Sequence, residues 1–497
     1  MTNKRHTTSR IHSFPLKIFL LALVLRLMPV LLFPHLGIGI DMFQYDMLAR
    51  SLAAGNGFRW FAPADAALLA PYLDLDVNAL GLDPRGMLTT FRAPLYPAFL
   101  ALVYMVFGVG PDRFFSARVI QASLGALLAP MTYVAALRIL ENSNWSHRVV
   151  ERSARGAAVI VASYPMLVLF PLGLATENLF FLLLLGASSA LLALSRQPSQ
   201  SNDVGRSQRL ESALAVLAGV LLGMSALTRS VVLPFALLAL FWIWLDLRRP
   251  RATVLAALAL ACTLVPWITR NSLLSDRLTG IETSMGYNLY LGYHPESTGT
   301  FTFGPSLDLL SILDDRLREQ VGTEEAVEFI RENPGRFPYL ALRRLGHFFD
   351  LEWRAFMYFY DNGFLGALSP PVLLLILNLL ALPFAFVACS AVFGAASMPR
   401  SAQTTLVMLL VVAYLLPHVF ILSEERFHLA LIPFFAILAA TAWAKPVDDL
   451  NARRMSLWLA AAGVALLILN WSAQIARTLP TLVQLIGAGG NRLYLPY

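Results

Sequence analysis

The chain has 497 residues, 57% of them hydrophobic and only 14% charged. A water-soluble fold cannot hide that much apolar surface, so composition excludes soluble enzymes and binding modules and leaves a multi-spanning membrane protein. The net charge of +7 is spread over short loops between apolar runs, where it encodes orientation rather than nucleic-acid binding.

Lys4, Arg5, Arg10 and Lys17 surround the start of the first apolar run, and the positive-inside rule puts this end in the cytoplasm. The run, about 16–34, lacks a small-residue cleavage site and is predicted as a retained helix. Arg26 in its middle needs a partner or a wet cavity. Next, Asp41, Tyr45, Leu48, Ala49 and Leu52 recur at helical spacing, predicting a short helix over 41–54 at the membrane surface, ended by Gly55 and Gly57. Asp41 reads either as a helix N-cap or as a functional carboxylate where lipid, water and protein meet.

Residues 35–93 form a first outer loop, irregular in its Pro-, Asp- and Ala-rich part from Asp65 to Arg85. The apolar run 94–108 is about 15 residues, short for a span. The basic loop with His147, Arg148, Arg152 and Arg155 lies inside only if that run does not cross, so it is read as re-entrant or interfacial. Spans are predicted at about 114–140, 156–172, 177–195, 211–228, 231–247, 252–268, 367–397, 405–422, 427–444 and 455–475. Inner loops are marked by Arg196, Arg206 and Arg209; by Arg248, Arg249 and Arg251; by Arg400; and by Lys445, Arg453 and Arg454. The result is an all-α polytopic bundle of about 11 transmembrane helices. A large extracytoplasmic loop covers 270–366, with helices at 305–332 and 336–349. Glu324, Glu325 and Glu328 mark a solvated face, and 337–349, with interleaved aromatic and basic residues, reads either as a segment resting on the bilayer that could close over a lipid-linked donor or, equally, as a simple packing element. Residues 1–445 form the main module; 446–497 supply the last helix and a short outer tail.

This topology gathers Asp41, Arg92, Glu177, Arg229, Arg270, Glu424, Glu425 and Arg426 on the outer face. Four arginines there run against the charge bias. Phosphate is the obvious anion for guanidinium forks, against the alternative that each arginine snorkels to a headgroup. His294 and His428 read as metal or donor ligands or, more simply, as polar loop residues. Cys262 and Cys389 lie inside apolar runs, which argues against a disulfide framework or thiolate metal site. The sequence has no P-loop, dinucleotide glycine pattern, HExxH helix or GxSxG elbow.

Several segments, in order, resemble the GT-C fold membrane glycosyltransferases, in particular bacterial relatives of dolichyl-phosphate-mannose–protein mannosyltransferases and of the lipid A aminoarabinose transferase. Asp41-x-x-x-Tyr45 with Leu48-Ala49 resembles the family's first-loop acidic motif, and Arg92-Ala93-Pro94-Leu95-Tyr96-Pro97 its Pro-Leu-Tyr-Pro segment. Thr176-Glu177 resembles the acidic position opening a later helix. The stretch from Gly219 to Arg229 resembles the family's Gly-x-x-x-Gly-x-x-x-Leu-Thr-Arg stretch, and Pro266-Trp267-Ile268-Thr269-Arg270-Asn271 the helix exit before the large loop. Asn288-Leu289 with Gly292 and Gly299, Asn333-Pro334-Gly335-Arg336-Phe337 and Glu425-Arg426-Phe427 resemble later landmarks. The match covers roughly 15–445 and rests on order, since no single motif is specific. Relatives often carry Asp-Glu where this chain has Asp41-Met42, and Asn where it has His294; the first departure puts a metal held by paired acids in doubt.

The resemblance implies an inverting transferase in the inner (plasma) membrane. It implies a polyprenyl-phosphate sugar donor, a lipid, glycan or protein acceptor, an extracytoplasmic active site, no nucleic acid and no required cofactor or metal. Asp41 is then the general base and Glu177 a second catalytic carboxylate. Arg92, Arg229, Arg270 and Arg426 are the donor phosphate ligands, and Tyr45, Tyr96, Asn288, His294, Arg343 and Arg344 candidate substrate contacts. A polyprenyl-sugar transporter or flippase, and a non-catalytic scaffold of the same fold, are the alternatives from other classes, and an oligosaccharyltransferase is a close enzymatic one. A transporter calls for inverted repeats and midplane charges, and apart from Arg26 the spans carry few.

Overall fold

The computed structural model describes residues 4–69, 83–196, 204–444 and 454–487. Lys445, Arg453, the tail from 488 and most of the 65–85 segment lie outside the described residues. Among the described residues the protein is all-α apart from one antiparallel pairing of Arg59–Trp60 with Met87–Leu88. Among the described residues nine helices are long and apolar enough to cross a membrane, or ten if a bent pair counts as one span. The chain is therefore a multi-pass membrane protein.

Two predicted spans differ. The segment expected at 231–247 is the helix Ser230–Leu245, too short to count among the nine. The segment expected at 156–172 is the bent pair, His147–Ser163 and Pro165–Leu172, meeting at 51°. Its basic residues, read as loop, ride on the first of these helices. Pro165 explains the bend, because it has no N–H to offer the Val161 carbonyl. Arg26, fully buried in the first span, supplies what is missing: its guanidinium donates to Val161 O at 2.9 Å and Ala162 O at 3.0 Å. The intramembrane arginine thus finds its partner in the carbonyls of a broken helix.

The helices Val204–Thr228 and Pro250–Ser275 pack backbone to backbone. A Cβ at Gly219 would run into the Ala256 carbonyl, and one at Gly223 would sit 2.6 Å from Thr263 Cβ. This is the small-residue spacing that lets membrane helices approach closely. The last helix, Arg454–Ile486, mostly faces outward, yet it is tied to the large loop. Trp471 donates to Phe349 O at 2.8 Å, and Gln474 accepts from Leu351 N at 2.7 Å.

The large loop holds five short helices, Met285–Tyr293, Phe303–Asp308, Asp315–Glu332, Arg336–Phe348 and Arg354–Asp361. The predicted helix 305–332 is therefore split. Asp314 restarts it, accepting from Arg316 N and Leu317 N as a cap. Along 337–349 Leu340, Arg344 and Phe348 turn inward, where Phe348 meets Tyr414 and His418 of the span Ala402–Phe420, while Tyr339 and Leu342 on the other side remain exposed. Among the acids read as a solvated face, Glu324 and Glu328 are exposed.

The helix predicted at 41–54 is observed as Ile40–Ala53, closed by Gly55 and Gly57, both at positive φ (75° and 83°). It is more enclosed than a surface helix: Asp46, Leu48 and Ala49 are fully buried. It packs on Leu95–Phe107, the 13-residue helix in the run too short for a comfortable span. Asp46 fastens the pair. It takes Tyr104 Oη at 2.9 Å, Arg113 Nε and Nη2 at 2.7 and 3.1 Å, and Arg50 Nε at 2.8 Å.

Candidate active site

Asp41 lies in the first turn of Ile40–Ala53, where the helix dipole favours a carboxylate; the N-cap itself is Gly39. Its side chain is 47% exposed. Asp41 Oδ1 accepts from Arg92 Nη2 at 2.7 Å, and Oδ2 lies 3.9 Å from Arg426 Nη2. Arg92 also donates to Gln44 Oε1, from Nε at 2.8 Å and Nη2 at 2.6 Å, and its guanidinium lies 5.4 Å from the Tyr45 ring centre. Burial opposes the charge on Arg92. Tyr45, Asp41 and Glu282 around it more than offset that, and its pKa stands above the ordinary arginine value.

Two further arginines join from distant helix ends. Arg229 follows the helix Val204–Thr228; its Nη1 is 2.6 Å from Glu177 Oε1 and donates to Thr176 Oγ1 at 3.2 Å. Glu177, the buried first residue of Glu177–Leu194, accepts from the Thr176 hydroxyl at 3.0 Å. Arg426 Nε lies 2.6 Å from Glu424 Oε2. The Arg229 and Arg426 guanidiniums share the Phe427 ring, at 5.0 and 5.6 Å from its centre. Tyr45 feels the whole group: burial raises its pKa, and Arg92, Asp41, Glu177 and Arg229 all act on it. Arg229 Nε is buried without a hydrogen-bond partner among the described residues. The cluster thus holds three guanidiniums, each beside a carboxylate: Arg92 and Arg426 next to the half-exposed Asp41, and Arg229 next to Glu177 on the shared Phe427 ring.

Sequence reasoning missed part of this group. Gln44 was findable, three residues from Asp41 on the same helix face. Glu282 carries no sequence signal. It comes from the large loop, accepts from Ser230 Oγ at 2.5 Å beside Arg229, and acts electrostatically on Arg92. Tyr287 and Tyr358 are likewise within electrostatic reach of Asp41.

Other predicted residues stand elsewhere. Arg270 turns to the backbone, with Nη1 donating to Thr89 O at 2.6 Å and to Asn271 Oδ1 at 2.9 Å, and it stacks on Trp267. Arg344 is buried against the Gly292 and Phe420 carbonyls, and Arg343 donates to Tyr339 Oη at 3.1 Å. Tyr96 is fully buried and donates to Gln121 Oε1 at 2.5 Å, offering only its ring edge to Tyr45. His294 Nδ1 accepts from Glu296 N at 3.2 Å, next to Phe329. Asn288 follows Tyr287 on Met285–Tyr293. His428 is buried between Phe348 O and Glu352 and stacked on Phe384. Among the described residues no group of three or more His, Cys, Asp or Glu side chains is placed to hold a metal.

No family model and no curated protein matches the sequence. The chain is similar to several solved structures. One is the archaeal oligosaccharyltransferase AglB from Archaeoglobus fulgidus, in complex with an inhibitory peptide and a dolichol-phosphate. It is 14% identical with a TM-score of 0.47, over 98% of this chain and 56% of that one. The apo form of the Archaeoglobus fulgidus oligosaccharyltransferase gives 15% and 0.48 over 97% and 56%. ArnT from Cupriavidus metallidurans bound to undecaprenyl phosphate gives 14% and 0.37 over 96% and 81%. The chain spans about half the length of the oligosaccharyltransferase chains it resembles.

Proposed function

We propose that this protein transfers a sugar from a polyprenyl-phosphate donor to an acceptor hydroxyl on a lipid, glycan or protein, at the extracytoplasmic side of the membrane. One observation carries the reading: Arg92 and Arg426, from two remote parts of the chain, meet at Asp41, and Arg229, held by Glu177, joins them through the Phe427 ring that it shares with Arg426. The acceptor oxygen attacks the anomeric carbon as the bond to the phosphate oxygen breaks, and configuration inverts. Asp41 takes the hydroxyl proton. The phosphate gains negative charge as it leaves, and guanidiniums already oriented by Asp41, Glu177 and Glu424 stabilise that charge without reorganising. Glu177, buried against Arg229, orients that arginine rather than moving a proton. The cluster sits where helices begin and end, a depth suited to a lipid phosphate and unlike the midplane site of a transporter. Side follows from the positive-inside rule.

The test supplies membranes containing the protein with radiolabelled polyprenyl-phosphate sugars. Wild type is expected to move label from donor to acceptor and to release polyprenyl phosphate, while Asp41→Asn does neither. Full transfer by Asp41→Asn contradicts the assignment of the base, and an equal rate in Arg92→Ala, Arg229→Ala and Arg426→Ala contradicts the donor site.

A further inference from the structure

We infer that Asp315 is a positioning residue for Arg92, through which the large loop sets the geometry of the donor site; the inference rests on the reading proposed above. Arg92 follows the stretch 89–91, whose three residues are buried. Asp315, in the first turn of Asp315–Glu332, directs one oxygen at this stretch. Its Oδ2 accepts from Thr89 Oγ1 at 2.6 Å, Thr90 N at 2.7 Å and Thr90 Oγ1 at 3.4 Å. Its Oδ1 lies 3.0 Å from Arg318 Nη2. Arg318 in turn packs 4.6 Å from the Phe91 ring centre, while the Arg92 guanidinium lies 5.0 Å from the same centre.

Two other parts of the chain close on the same stretch. Arg270 Nη1 takes Thr89 O, and Thr283 pairs with Thr90 by N–H to O at 2.9 Å and hydroxyl to hydroxyl at 3.0 Å. Asp315 is itself fixed: Asp314 caps its helix, and Arg318 Nε holds the Ile312 carbonyl at 3.0 Å. Among the described residues Asp315 has no hydrogen bond or ion pair to Asp41, Arg229 or Arg426. Its route to the site is therefore the backbone that carries Arg92. Arg92 already directs Nε and Nη2 at Gln44 and Asp41, so a small displacement of 89–92 swings the guanidinium off that alignment. Charge-assisted bonds of this kind are the strong ones in a partly buried setting. Arg270, expected from sequence as a phosphate ligand, belongs to this clamp.

The test uses the full chain in nanodiscs, titrated with undecaprenyl phosphate and read by native mass spectrometry, with thermal midpoints in parallel. Arg92→Ala is expected to weaken binding at least about tenfold. Asp315→Asn is expected to weaken it severalfold, and to add nothing when combined with Arg92→Ala, because it acts through that side chain. Thr89→Val, which deletes a hydroxyl donor to Asp315 and conserves volume, is the second variant and is expected to follow the same non-additive pattern. A merely structural residue would lower the thermal midpoint while leaving the affinity effects additive. Equal weakening by Asp315→Asn and Thr89→Val in wild-type and Arg92→Ala backgrounds, or no weakening by either while Arg92→Ala binds poorly, overturns the inference. Unchanged binding by Arg92→Ala instead removes the donor site itself.

Discussion

Asp41 and Asp46 sit five residues apart on one helix and do opposite work. Asp46 is completely buried, and both its oxygens are saturated by Arg113, Arg50 and Tyr104. Asp41 is 47% exposed, close to one arginine through one oxygen and 3.9 Å from a second through the other. The first carboxylate fixes the helix, and the second keeps capacity for a ligand. Burial and saturation therefore separate a structural acid from an available one, where sequence spacing does not.

The largest effect is expected at the available acid. In the proposed reaction Asp41 is the base, so Asp41→Asn should lower transfer by about 10²–10⁴-fold while leaving the thermal midpoint near wild type; a rate assay with parallel thermal melts checks both. Asp46→Ala should show the reverse signature. Breaking a buried, charge-paired network costs about 3 kcal/mol, at the low end of the range because Arg50 and Arg113 reach solvent. Denaturation in detergent should show this loss, and if Asp46→Ala keeps wild-type stability the contrast collapses.

A smaller effect sharpens the comparison from the arginine side. Arg26→Met strips two carbonyls at the Pro165 break of their donors and should destabilise by about 1–3 kcal/mol without touching polyprenyl phosphate affinity. Arg229→Met should weaken that affinity and, in addition, leave Glu177 buried without its counter-charge. An equal affinity loss in the two variants would mean that the distinction between buried structural arginines and site arginines is wrong.

The smallest effect concerns pH. Glu319 accepts from Gly286 N, and burial raises its pKa above the ordinary glutamate value. A group with a raised folded pKa holds its stability contribution below the unfolded value and loses it as pH rises through the folded one. Wild-type stability should therefore fall as pH climbs above about 4.5, and Glu319→Gln, which keeps an acceptor, should flatten that slope. Thermal melts across this interval decide it.

Much of this architecture was legible from the chain. Hydropathy located most spans, because an apolar run of that length has few other fates. Helical spacing from Asp41 to Leu52, with Gly55 and Gly57 after it, located the helix that carries Asp41 to within a residue. Charge bias singled out Arg92, Arg229, Arg270 and Arg426 alike, and three of them join the cluster while Arg270 does not. The rest depends on contacts far apart in sequence. Nothing local in the sequence distinguishes Arg270, turned onto the Thr89 carbonyl, from Arg229, turned onto Glu177; both follow an apolar run and a threonine. Glu282 and Asp315 lie in a polar loop where carboxylates are unremarked, and only the fold of that loop brings them to Ser230 and Thr90. The break at Pro165 was missed because hydropathy averages across it.

The most direct test is mass spectrometry of the glycolipids, glycans and glycoproteins of cells carrying wild type, a deletion or Asp41→Asn. One sugar is expected to disappear from one acceptor in both altered strains, with Asp41→Asn protein present at wild-type levels in the membrane. Loss in the deletion alone, with the sugar intact in Asp41→Asn, would contradict the claim that Asp41 and its arginines form a transferase site.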